Sequence, residues 1–161
     1  MIWKPNVTVA AVAEREGRFL LIEEDTSRGR LFNQPAGHLE PGETLLAAVI
    51  REAREETAWR FAPQALVGTY LWRSPRTGRG FLRFAFCGEV DDHRPAQALD
   101  RGIVRATWMT SAELAAQPAR LRSPLVMRCI DDFLAGQRMP LDSVAYLDLE
   151  GAVRVPSVVN L

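Results

Sequence analysis

Short apolar runs separated by turn-forming residues dominate the chain, and they predict strands. VTVAAVA (Val7 to Ala13) and RFLLIEE (Arg18 to Glu24) read as two strands around a turn at Glu16-Gly17. ALVGTYLW (Ala65 to Trp72) and FLRFAFCGEV (Phe81 to Val90) form a second candidate pair, joined by the turn chemistry of RSPRTGRG. IVRATWM (Ile103 to Met109) predicts one more strand. DTSRGR reads as a polar loop, and LFNQPAG leads through Pro35 and Gly37 into the next element.

Helical spacing takes over in three places. From about Glu43 to Thr57, residues Leu46, Val49, Ile50 and Ala53 form an apolar stripe suited to packing on a sheet. Thr110 with Glu113 gives a capping-box pattern ahead of LAA. Ser123-Pro124 supplies an N-cap and a first-turn proline before LVMRCIDDFLA, and Gly136 supplies a stop. Strands interleaved with three helices predict a layered α/β fold, read as one domain over residues 1–161. The tail after Tyr146 reads as an extra strand or a loose end.

Composition narrows the class. A chain of 161 residues can bury about two thirds of its unfolded surface. With 47% apolar and 25% charged residues it is neither disordered nor fibrous. Twenty basic and twenty acidic side chains cancel, so neither nucleic acid nor an anionic membrane is an expected partner, and a phosphate would have to be recognised locally. The N-terminal apolar run is short and interrupted, more strand than secretory segment, and no stretch approaches the roughly 18 apolar residues of a membrane span. Cys87 and Cys129 match no CxxC pattern and are expected to be buried, reduced thiols. These features predict a cytoplasmic protein.

One segment breaks the even spread of charge. In GHLEPGETLLAAVIREAREET, Gly37 to Thr57, Glu52, Glu55 and Glu56 stand at i, i+3 and i+4 and share a helix face. Like charges at that spacing cost an exposed helix roughly 0.2–0.5 kcal/mol, and more where water is excluded. Arg51 can pair with Glu55, but one arginine cannot neutralise three glutamates. The face is therefore either solvated or holds a cation, and oxygen-only donors select Mg²⁺, Mn²⁺ or Ca²⁺ over zinc. Spacing favours the cation. Gly37, Glu43, Arg51-Glu52 and Glu55-Glu56 fix six positions, a pattern with a chance frequency on the order of 10⁻⁵ at ordinary residue usage.

This segment resembles the Nudix box, GX5EX7REUXEEXGU, where U is a bulky apolar residue. Ala53 is small for its place, Ala58 replaces the last glycine, and Trp59 fills the final apolar position. Around the box, VTVAAV, LFNQPAGHLEPGETL, FLRFAF, LRSPLV and GQRMPL are similar to the bacterial NudJ group of phosphatases, so the resemblance covers most of the chain. It implies a Nudix fold, an α/β/α sandwich with a mixed central sheet. It also implies Mg²⁺-dependent hydrolysis, with Mn²⁺ as a substitute, of phosphoanhydrides in nucleoside di- and triphosphates or related organic diphosphates such as hydroxymethylpyrimidine diphosphate. The alternatives are an ADP-ribose or oxidised-nucleotide pyrophosphatase and a non-catalytic nucleotide-binding module. The expected partner is a small-molecule nucleotide or organic diphosphate, and the chain is expected to act as a monomer or homodimer.

The same resemblance implies roles. Glu52, Glu55 and Glu56 would bind Mg²⁺, with the Gly37 carbonyl as a backbone ligand. Arg51 would orient a ligand carboxylate, Glu43 would brace the loop, and water would attack phosphorus without a covalent intermediate. Family members with a further acid carry it ahead of a proline-led helix. Here that place reads Arg122-Ser123-Pro124, which leaves Asp100 or a box glutamate as the base. His38 reads as a loop histidine bonded to backbone. Arg83 is a candidate phosphate contact, with a surface ladder residue as the alternative. Tyr70 and Trp72 share a strand face and would either stack on a heterocycle or pack in the core. Arg76 and Arg79 read as solvated turn residues.

Overall fold

The computed structural model describes residues 1–154. Its first hairpin joins β1 (Asn6–Arg15) to β2 (Arg18–Thr26) through Glu16 and Gly17, whose φ values of 53° and 76° are the left-handed pair that a two-residue turn requires. β3 (Gly29–Asn33) and the short β4 (Ala36–His38) follow, then α1 (Leu45–Thr57), and β5 (Arg60–Arg73) paired with β6 (Gly80–Asp91). After β7 (Ile103–Met109) come α2 (Ser111–Ala115) and α3 (Leu125–Leu134). Two residues each of β8 (Tyr146–Leu147) and β9 (Val153–Arg154) close a small hairpin, so the described part of the tail holds strand; residues 155–161 lie outside the described region.

Seven strands make one mixed sheet in the order β3-β2-β1-β6-β5, with β4 added on β1 and β7 on β2. β1 is its hub. It runs parallel to β6 from Asn6↔Phe81 to Ala13↔Gly88, carries β4 antiparallel from Thr8↔His38 to Ala10↔Ala36, and meets β2 at its far end. Buried on both faces, it reads as a continuous apolar run, and its alternate residues enter different cores. Val9, Ala11 and Ala13 pack with Leu46, Val49 and Ala53 of α1, whereas Ala10 and Val12 pack with Cys129 and Ile130 of α3. Helices on both faces of a mixed sheet are the α/β/α sandwich expected from the sequence. Cys87 and Cys129 are buried and free.

Three local expectations need correction. The polar loop expected over DTSRGR, Asp25 to Arg30, is taken up at its ends by β2 and β3, and β3 runs on into LFN; only Leu31, Phe32 and Asn33 of that strand are buried, so no alternation announces it. β5 starts at Arg60, ahead of Pro63, where a bulge absorbs the residue that cannot donate to the ladder. The helix expected from about Glu43 begins at Leu45. Thr44 is its cap, accepting from the Ala47 N–H at 3.0 Å, and Glu43 lies outside it. At the other end Ala58 takes the left-handed conformation of the missing glycine (φ 61°) and its N–H closes onto the Arg54 carbonyl. The capping box of α2 forms as expected, and Gly136, with φ 82°, ends α3.

Candidate active site

The acids of α1 gather under β4. Gly37 of β4 lies directly against Glu52: a Cβ at Gly37 would overlap the Glu52 carboxyl group, so only glycine permits this approach. Ligand atoms of Glu52, Glu55 and Asp100 lie within 4.8 Å of one another. Asp100 arrives from the loop after β6, which docks along the last turn of α1. There the Asp100 N–H donates to the Glu55 carbonyl (3.0 Å) and the Gln97 amide to the Arg54 carbonyl (2.7 Å), capping two helix-end acceptors.

Arg51 binds this group to the preceding loop. Its Nη2 and Nε donate to the two carboxylate oxygens of Glu43 at 2.8 and 3.1 Å, and Nη1 donates to Glu52 (2.9 Å) and Glu55 (3.1 Å). Nη2 also reaches the His38 carbonyl at 3.0 Å, tying α1 to β4. Glu43 in turn accepts from the Glu40 N–H at 2.7 Å. Burial works to raise the Glu43 pKa, but the Arg51 and Glu40 hydrogen bonds outweigh it and hold the carboxyl below its ordinary range. The Glu43 hydrogen bond, with that of Glu52, makes Arg51 still harder to deprotonate.

Glu56 stands differently. Its Oε2 accepts from the Ala36 N–H at 2.8 Å, and no cationic side chain among the described residues pairs with it. Burial pushes its pKa up to about 9, against the Ala36 hydrogen bond and with help from the charges of Glu52, Glu24 and Asp100. Burial raises Glu52 as well, partly countered by Arg51. Glu52, Glu55 and Asp100 offer oxygen donors close enough together to fit a hard divalent cation, and Glu56 stands beside them outside that group.

On the far side of β4 opens a cavity of about 270 Å³ lined by Gly37, His38, Glu24, Thr8, Arg83 and Trp72, among others. Trp72 stacks on Phe81 at 5.7 Å between ring centroids and forms one wall. Arg83 is buried here, not laid along a surface ladder. Its Nη1 donates to Gln34 (3.2 Å) and its Nη2 to Asn33 (3.4 Å). Arg76 and Arg79, exposed as expected, also face the cavity. Tyr70 is not brought to it: its hydroxyl donates to Asp132 of α3 at 2.9 Å, and its ring packs in the core beside that helix. Thr8, Asn33, Gln34 and Glu24 were missed from the sequence. Thr8, the lone polar residue within VTVAAV, carried the one available signal.

Comparison with known proteins agrees with this geometry. A family model described as NUDIX domain matches residues 3–128. The chain is similar to Phosphatase NudJ of Escherichia coli strain K12, with 43% identity over 143 residues that cover 89% of this chain and 92% of that protein. Among solved structures it resembles a NUDIX hydrolase from Nitrosomonas europaea, with TM-score 0.88 and 49% identity over 91% of this chain and 99% of that one. A bifunctional NMN adenylyltransferase/ADP ribose pyrophosphatase from Francisella tularensis shares the fold at TM-score 0.59 and 21% identity, over 83% of this chain and 42% of that one.

Proposed function

Because this chain belongs to the Nudix hydrolase family, whose members act on phosphoanhydrides, we propose that it does so with Mg²⁺ held by Glu52, Glu55 and Glu56. The substrate class is nucleoside di- and triphosphates or related organic diphosphates, the class that likeness to a NudJ phosphatase favours. The observation that carries this reading is the convergence of Glu52, Glu55 and Asp100 within 4.8 Å beneath Gly37, with a single arginine shared between the two glutamates. Mn²⁺ suits the same oxygen donors, and the Gly37 carbonyl is a further oxygen beside Glu52.

When bound, the cation neutralises phosphate charge and lowers the pKa of water. The chain's own groups do the rest. Arg51 holds Glu52 and Glu55 in fixed rotamers, and Glu43 holds Arg51, so the carboxylates meet a substrate without reorganising. Asp100, the exposed member of the group, accepts the proton of the attacking water at its carboxylate. Trp72 and Phe81 offer an aromatic wall to the organic part of the substrate. Two buried free thiols suit a reducing compartment, and on that ground we propose that the activity is cytoplasmic. Phosphate release from a panel of nucleotides, ADP-ribose, oxidised nucleotides and hydroxymethylpyrimidine diphosphate, with Mg²⁺ and with EDTA, tests the reading. Turnover that survives EDTA refutes it.

A further inference from the structure

Among the described residues, two buried side-chain polar atoms have no hydrogen-bond partner: Thr8 Oγ1 and Arg83 Nε. They are neighbours. Thr8 of β1 and Arg83 of β6 are direct register partners in the parallel ladder, so both side chains leave the same face of the sheet. Both line the cavity beside β4, and both residues are only 7% exposed. Orphaned buried donors are rare in folded proteins, and two side by side at one cavity call for a shared cause.

The charge of Arg83 is equally unmatched. No carboxylate among the described residues lies within ion-pair distance of its guanidinium, whose neighbours are neutral: the amide oxygens of Gln34 and Asn33, and the thiol of Cys129, which burial keeps protonated. Those oxygens are fixed in place because each amide nitrogen is engaged elsewhere: Gln34 donates to the Val126 carbonyl at 2.7 Å, and Asn33 donates to Glu24 at 3.2 Å. Glu24, the acid nearest this edge of the cavity, is paired with Arg122 at 3.1 Å. A buried cation with neutral partners is costly unless something anionic completes it.

The geometry points to an oxyanion subsite in this cavity, in which Arg83 Nε and the Thr8 hydroxyl donate to one phosphate group of the ligand. This rests on the proposed reaction and deepens it. The α1 acids hold the reacting phosphoanhydride, and the subsite takes a second phosphate further along the chain. The preferred substrates are thus those with an anionic group beyond the bond that is cut, nucleoside triphosphates ahead of diphosphates. Arg83 and Thr8 are specificity-determining residues that recognise phosphate without a cation.

Independence from metal makes the test separable from the hydrolysis reading. The melting temperature of the full chain is measured in EDTA with inorganic phosphate or with chloride at matched ionic strength. Phosphate at about ten times its Kd raises the wild-type melting temperature by about 3 °C over chloride. Arg83→Gln abolishes that rise. Thr8→Val, which swaps an unpartnered hydroxyl for a methyl of similar size, melts no lower than wild type in chloride yet loses about half the rise. If Arg83→Gln does not fold, Arg83→Lys replaces it, and its point charge without the guanidinium fork gives a smaller rise than wild type. A wild-type protein indifferent to phosphate, or an Arg83 variant with the full rise, overturns the subsite. With Mg²⁺ restored, Arg83→Gln lowers the triphosphate-to-diphosphate ratio of kcat/KM about tenfold, chiefly through KM. An unchanged ratio contradicts the substrate preference, whereas absence of hydrolysis in the presence of a phosphate-induced rise contradicts only the reaction.

Discussion

Two glutamates, Glu23 on β2 and Glu56 on α1, are almost equally hidden, at 4% and 7% exposed, yet the molecule treats them in opposite ways. Glu23 is gripped by Arg105, at 2.7 Å, and by Arg120, and their hydrogen bonds, Arg105 first, hold its pKa below the ordinary carboxylate range. Glu56 has a backbone N–H and three acidic neighbours, and burial lifts its pKa to about 9. Low exposure alone does not separate the two acids: Glu56 lies deeper among surrounding atoms and has no cationic partner among the described residues, whereas Glu23 lies shallower and has two. Glu23 is complete within the chain and fastens β2 to β7 and to the turn before α3. Glu56 has no such partner within the described residues, and in the proposed reaction a cation from solution supplies it.

The sharpest way to break this contrast is to neutralise each acid in turn. Glu56→Gln is expected to lower Mg²⁺-dependent turnover about a thousandfold or more, the scale of the charge stabilisation a cation provides. In EDTA at pH 8 the same variant should be more stable than wild type by on the order of 2 kcal/mol, because it removes a carboxyl that is ionised in the unfolded chain and must take up a proton to fold. The sign follows from linkage. With a folded pKa of about 9 against an unfolded value of 4.5, Glu56 keeps its proton in the folded state over that interval. Wild-type stability in EDTA therefore falls as pH rises from about 5 to 9, and urea denaturation should show Glu56→Gln flattening that slope.

Glu52 sharpens the comparison through its neighbour. Gly37→Ala places a methyl where the Glu52 carboxyl rests and must displace it from Glu55 and Asp100. Turnover should drop about a hundredfold, the scale of a misplacement near 1 Å. Glu23→Gln should do the reverse of Glu56→Gln: lose about 1–3 kcal/mol of stability at pH 7 in urea denaturation, with turnover in the wild-type range. Its lowered pKa means that this stabilisation is present above about pH 4.5 and is lost as pH falls further. The smallest effect is expected at the C-terminal cap of α1, two residues beyond Glu56. Ala58→Gly relieves about 1 kcal/mol of left-handed strain but gives up a buried methyl of about 0.8 kcal/mol, so the midpoint of denaturation should hardly move.

How much of this could be read from the chain depends on the range of the interactions involved. The box acids were legible because i, i+3 and i+4 spacing is local, and a helix converts it directly into a shared face. The layered fold was legible because β1, β2 and β6 carry long apolar runs with a clear turn at Glu16-Gly17. Asp100 was a candidate base, but its place beside Glu52 and Glu55 depends on a loop hydrogen-bonded to the end of α1, and no local pattern encodes that. Arg83 stayed open between a phosphate contact and a surface ladder residue because its burial beside Gln34 and its pairing with Thr8 come from tertiary contacts, the latter from the register of two strands more than seventy residues apart. Tyr70 and Trp72 alternate correctly, yet α3 claims the first and leaves the second to the cavity. β3 escaped because a three-residue buried stretch is too short to show a period.

The unmatched state of Glu56 can be counted in protons. Mg²⁺ is titrated calorimetrically into the protein at pH 7.5 in two buffers of different ionisation enthalpy, for wild type and Glu56→Gln. Uptake at millimolar Mg²⁺ with release of close to one proton in the wild type, and none in the variant, is the expected result. No uptake at that concentration, or uptake with no proton released, would contradict the assignment of Glu56 as an acid waiting for a cation.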